Sequence, residues 1–127
     1  MIEGKKEEVL WDDITAMMIE LGIPAHLRGY YYLREAVWLT VYDLELVGSV
    51  TKLLYPEIGK KYKCSPGKVE RAIRNSIEVS WERGNTEFWE ELFGFSRETG
   101  KKRPTNSEYI VVLADKIRRD KGFFSIR

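Results

Sequence analysis

A chain of 127 residues with 43% hydrophobic residues and four tryptophans has the composition of a folded protein and is long enough to bury one core. Its 21 lysines and arginines nearly cancel 20 aspartates and glutamates, so global charge points to no polyanionic partner and only local clustering can do so. The single cysteine, Cys64, and single histidine, His26, exclude an internal disulfide, a cysteine-based zinc cluster and a histidine-rich metal site.

No run of 18 apolar residues and no signal-type N-terminus is present, so the expectation is a cytoplasmic protein with no membrane partner, metal or cofactor. Leu10, Ile14, Met17, Met18 and Leu21 recur at helical spacing, which predicts a helix over 9–21 ended by Gly22 and Pro24. Leu27, Tyr30, Tyr31, Leu33, Val37, Trp38, Val41, Leu44 and Val47 then leave little polar circumference. They predict one long, mostly buried helix that runs to Gly48 and Ser49.

A short helix follows over 50–62 through Leu53, Leu54, Ile58 and Tyr62, with Pro56 either kinking it or confining its start. After a tight turn, Ser65 stands as N-cap and Pro66 at the first helical position of a helix that Gly84 and Asn85 end. Phe88, Trp89, Leu92 and Phe93 make a compact aromatic helix over 86–93, closed by Gly94. Beyond the basic loop 97–104, Thr105 and Glu108 form a capping box for a last helix that buries Tyr109, Ile110, Leu113 and Ile117. The expected architecture is all-α, a single six-helix domain over 1–127.

Residues 50–83 have the layout of a helix-turn-helix, in which the first helix crosses the DNA backbone and the second presents side chains to base edges. With Val69, Ala72, Ile73, Ser76, Ile77 and Ser80 turned inward, Lys68, Glu70, Arg71, Arg74, Asn75 and Glu78 lie on or beside the opposite face. Arginine and lysine donate to guanine, asparagine pairs with adenine, and glutamate accepts from cytosine. Between Gly59 and Asn75 six cations face one anion, so the near-neutral total conceals a polarised molecule. Spacing alone fits a solvated face equally well. Glu70 and Arg74 make an (i, i+4) pair worth only about 0.2–0.5 kcal/mol there.

Other polar candidates are weaker. Adjacent Glu90 and Glu91 diverge on a helix, His26 beside Pro24 has no acid–base partner, and Cys64 reads as a half-buried filler in the turn. No catalytic residue emerges, and the expectation is a protein that is not an enzyme.

Four separated stretches, "IPAHLRGYYYLREA", "GSVTKLLYPEIGKKY", "VERAIRNSIEVSWERGN" and "RPTNSEYIVVLADKIR", together resemble the C-terminal effector domain of the stage-zero sporulation response regulator. The likeness covers roughly residues 19–119 in unbroken order. It implies a six-helix domain that binds short operator repeats in double-stranded DNA, often as a tandem homodimer. The family's recognition-helix residues fall on Lys68, Glu70, Arg71, Arg74 and Asn75. Lys68 stands where the family usually has arginine, and Asn75 where it has histidine. A lysine lacks the flat bidentate fork, so base choice there is expected to be looser.

Ser49, Lys52, Lys60, Lys61, Ser65, Lys101, Lys102 and Arg103 are assigned to backbone phosphates. Only about eighteen residues precede the match, too few for the family's phosphoacceptor receiver. The ordinary opening Met, without a tag-like sequence, favours a natural short form over an excised piece. The expected function is sequence-specific transcription regulation related to sporulation, with contact to a full-length regulator or RNA polymerase. The alternative is a receiver-less interaction module that pairs with a full-length regulator, using Phe123 and Phe124.

Overall fold

A computed structural model describes residues 2–100 and 102–122, with side chains from residue 10 onward. In chain order the helices are α1 (Ile2–Glu20), α2 (Arg28–Tyr42), α3 (Tyr55–Tyr62), α4 (Pro66–Arg83), α5 (Thr86–Phe93) and α6 (Asn106–Asp120). The described residues contain no strand, so the all-α, six-helix expectation holds. Phe123, Phe124 and Lys101 lie outside the described residues.

Three boundaries differ from the sequence reading. The first helix starts at Ile2 rather than at residue 9. The central helix stops at Tyr42 rather than at Gly48, because Asp43 is extended (φ −149°, ψ 91°) and its carboxylate accepts the Glu45 N–H at 3.1 Å. A short acidic side chain thus competes for a backbone amide and opens a new turn. A 3₁₀ turn (Leu44–Ser49) and a π-turn (Val50–Leu54) follow. Of the two apolar positions that extended the periodicity past Asp43, Val47 packs against the core and Leu44 is exposed. The helix expected from residue 50 begins only at Tyr55, whose N–H bonds back to the Val50 carbonyl. Pro56 sits in its first turn, where proline is tolerated, and so marks the start of the α-helix.

The predicted caps are in place: Ser65 Oγ accepts from the Lys68 N–H at 3.2 Å, and the Thr105–Glu108 box is closed in both directions. Asn85, read from the sequence only as a helix end, also caps α5. α2 is the central post, with Leu33, Ala36, Val37 and Val41 fully buried. It packs against α1, α4 and α6, which bring Ile14 and Met18, Val69, Ile73 and Ile77, and Ile110 and Leu113 to the buried core.

Two features fix α4 in this frame. The first is Gly29 at the start of α2. A methyl group there would lie 2.8 Å from the Ala72 carbonyl carbon and closer still to its oxygen and to Ser76 Oγ. The α2–α4 crossing therefore depends on a hydrogen atom at this one position. The second is Ser80, fully buried on α4. Its hydroxyl lies 2.6 Å from the Leu21 carbonyl and 2.8 Å from the Tyr109 hydroxyl. Ser80 has one proton, and the carbonyl can only accept it, so Tyr109 donates to Ser80. Burial pushes the Tyr109 phenol far above its ordinary range. The Trp89 indole N–H donates to the Ser80 carbonyl at 3.0 Å, and its ring stacks on Phe93 at 4.4 Å.

Candidate nucleic-acid interface

The turn between α3 and α4 is closed by the backbone. The Cys64 N–H bonds to the Gly59 carbonyl at 2.9 Å, a Schellman-type closure, and Lys63 takes the left-handed conformation it requires (φ 58°). A methyl at Gly59 would collide with the Cys64 carbonyl oxygen, so only glycine lets the turn fold this tightly over α3. Cys64 is half-buried, and its thiol donates to the Tyr32 hydroxyl at 3.5 Å, which suits a structural filler.

On α4 the inward set is as the periodicity requires: Val69, Ile73, Ser76, Ile77 and Ser80 are buried, and Ala72 is half-buried. Lys68, Arg71, Arg74, Asn75 and Glu78 are exposed. Arg71, Asn75 and Glu78 follow one another at spacings of four and three residues, a single outward stripe. The Arg71 guanidinium folds back toward the helix start, where a methyl on Gly67 would meet it at 3.6 Å. Glu70 differs from the others. It is half-buried on the flank of α4; its carboxylate pairs with Arg74 and its carbonyl accepts from Asn106 at 3.2 Å.

The two carboxylates are offset by arginines, Glu70 by Arg74 and Glu78 by Arg103 at 3.6 Å. Lys68, Arg71 and Asn75 have no side-chain ion pair or hydrogen bond among the described residues. The surface is thus positive and offers free donors on a rigid helix, which suits an anionic, acceptor-rich groove.

The segment after α5 runs antiparallel beside α4. Arg97 donates to the Gly84 carbonyl at 2.9 Å, Arg103 lies against Glu78, and Asn106 reaches the Glu70 carbonyl. Contacts thus progress from the C-terminal end of α4 toward its start. Pro104 is buried and Lys102 is exposed at the edge of this strap.

The remaining predicted phosphate contacts are placed individually. Lys60 is exposed on α3, Lys52 is exposed on the π-turn, half-buried Ser49 precedes that turn, and Ser65 is exposed at the start of α4. Lys61 is already engaged. Its ammonium lies 2.7 Å from buried Glu35, and that hydrogen bond holds the ammonium above its ordinary pKa. It keeps about half its surface open at 53% exposure, so the pair does not seal it from solvent.

The sequence reading missed three partners: Glu35, Arg97 and Asn106. For Glu35 a signal existed, a lone carboxylate inside an otherwise apolar helix, which demands a cation. Asn106 was visible only as the first residue of α6.

An all-helical fold whose third and fourth helices form a tightly closed helix-turn-helix, with a cationic outer face on the second, defines a DNA-binding regulatory domain. The family model described as "Sporulation initiation factor Spo0A C terminal" matches residues 14–117, and the chain belongs to that family. It is a family of sporulation-related DNA-binding transcription regulators, not of enzymes. Among the described residues no helix is long and apolar enough to cross a membrane.

Proposed function

We propose that this protein regulates transcription by binding double-stranded DNA sequence-selectively, with α4 in the major groove. The observation that carries the reading is the outer face of α4, where Lys68, Arg71 and Asn75 project free donors while both nearby carboxylates are offset. Arg71, exposed in the N-terminal half, reads a base edge, with Lys68 and Asn75 on either side of it in the sequence. Arg74 and Glu70 act as a coupled pair: an arginine already aligned by its carboxylate reaches the groove at lower entropic cost. Lys52, Lys60, Ser65, Lys102 and Arg103 meet backbone phosphates, with Ser49 beside Lys52 at the groove edge. Lys61 contributes to the field there while remaining bound to Glu35. Lys101 is assigned to a phosphate from its place in the sequence alone. Short operator repeats would seat tandem copies of the domain, leaving its other faces for RNA polymerase.

Selection from a random duplex pool tests the reading, with one enriched motif as the expected result. Replacing Arg71 with alanine should cost about 1–3 kcal/mol on the selected duplex and relax selectivity at one base pair. Enrichment of no motif, or an equal loss on every duplex, would overturn it.

A further inference from the structure

Asn106 is the first residue of α6, and its position is set before any contact to α4 is made. The Thr105 hydroxyl accepts the Glu108 N–H at 3.2 Å and the Glu108 carboxylate accepts the Thr105 N–H at 2.8 Å. With the cap closed both ways, the first turn of α6 has little freedom. From this fixed point the Asn106 amide nitrogen donates twice. One bond goes to the Tyr55 hydroxyl at 3.0 Å and the other to the Glu70 carbonyl at 3.2 Å. Its two protons are thereby used, one on each helix of the helix-turn-helix.

Both acceptors matter for the angle between α3 and α4. Tyr55 is buried at the first residue of α3, and burial raises its phenol pKa. Glu70 stands one residue before Arg71 and carries the carboxylate that holds Arg74. A shift of the Glu70 backbone therefore moves both arginines together.

We propose that Asn106 is a positioning residue for base readout: it sets the pitch of the N-terminal half of α4 against α3 from outside the helix-turn-helix. The proposal rests on α4 being the reading element. Asn106 touches no base and no phosphate. Its effect falls on selectivity, because aligned hydrogen bonds to base edges tolerate little displacement, whereas phosphate contacts act through charge and tolerate more.

The test compares wild type with Asn106→Ala and Tyr55→Phe, the second removing only one acceptor and leaving the bond to Glu70. Binding is measured on the selected duplex and on an unrelated duplex across a salt series. Hydrogen exchange of the free proteins is followed in parallel, so that positioning is read without DNA. For Asn106→Ala the expected result is a loss of about 5–20-fold on the selected duplex, the size of one or two displaced hydrogen bonds. The unrelated duplex should change less than about twofold, with the salt slope unaltered, since no phosphate contact is lost. Amides in the first half of α4 should exchange faster while those of α6 hold. Tyr55→Phe should show a smaller change of the same kind.

Equal losses on both duplexes would overturn the proposal, as would unchanged exchange in α4. If wild type itself prefers no duplex, the major-groove reading fails. The exchange data still decide whether Asn106 fixes α4: faster exchange there supports that part, and unchanged exchange refutes it.

Discussion

Gly29 offers the most direct test of how α4 is held. In Gly29→Ala the new methyl would lie 2.8 Å from the Ala72 carbonyl carbon, where optimal carbon contacts are about 3.5–4.0 Å. Relief requires α2 and α4 to part by roughly 1 Å, since the obstacle is backbone on a helix rather than a flexible side-chain end. Overpacking of this kind costs about 1–3 kcal/mol, and the rigid obstacle places this variant near 3. For a protein of this size the melting temperature should fall by roughly 10 °C, measured by circular dichroism or calorimetry. A second substitution separates the two obstacles. Ser76→Ala removes the hydroxyl but not the Ala72 carbonyl, so Gly29→Ala/Ser76→Ala should recover only part of the loss. A Gly29→Ala melting temperature within about 2 °C of wild type, or complete rescue by Ser76→Ala, would refute a backbone-limited crossing.

Other substitutions probe single features. Ser76 Oγ is buried with no hydrogen-bond partner among the described residues, so Ser76→Ala alone should be neutral or slightly stabilising in denaturant titration. Lys63→Gly should raise stability by about 0.5–1 kcal/mol, because glycine adopts the left-handed cap without a Cβ penalty; a lower midpoint would refute this. Lys61→Met should destabilise by about 1 kcal/mol at neutral pH, because it strips buried Glu35 of its cation, discounted for the half-open lysine. The Lys61 pKa is raised by folding, so its contribution is complete below the unfolded lysine value of about 10.4 and lost as pH climbs through the folded value. The stability gap between wild type and Lys61→Met should therefore narrow above that pH, and an unchanged gap there would count against the pairing. Lys52→Ala should weaken all duplexes alike and reduce the salt slope by about 1.

Local chemistry explains what the sequence made legible. Ser65 before Pro66, and Thr105 three residues before Glu108, are helix starts whose partners lie within one turn, and all formed as predicted. The inward and outward faces of α4 also followed from spacing. Asp43 shows where periodicity misleads: apolar residues continue past it, but the helix does not, because its carboxylate captures an amide. Among site residues, Lys61 looked like an ordinary phosphate ligand, since its partner Glu35 lies 26 residues away and is joined to it only by the tertiary fold. Glu70 looked outward on the helical wheel, yet the arrival of α6 made it a flank residue tied to Asn106. These differences concern partners brought by other helices, which no local pattern encodes.

Ser80 carries a consequence for control. Through this one residue α4 is tied to the end of α1, to α5 and to α6. α4 is therefore also the axle of the fold, and turning it would tear buried hydrogen bonds from three neighbours at once. A domain wired this way is poorly suited to being switched by reorienting α4. If α4 reads DNA as proposed, control is more cheaply exerted by covering or uncovering its outer face than by turning the helix.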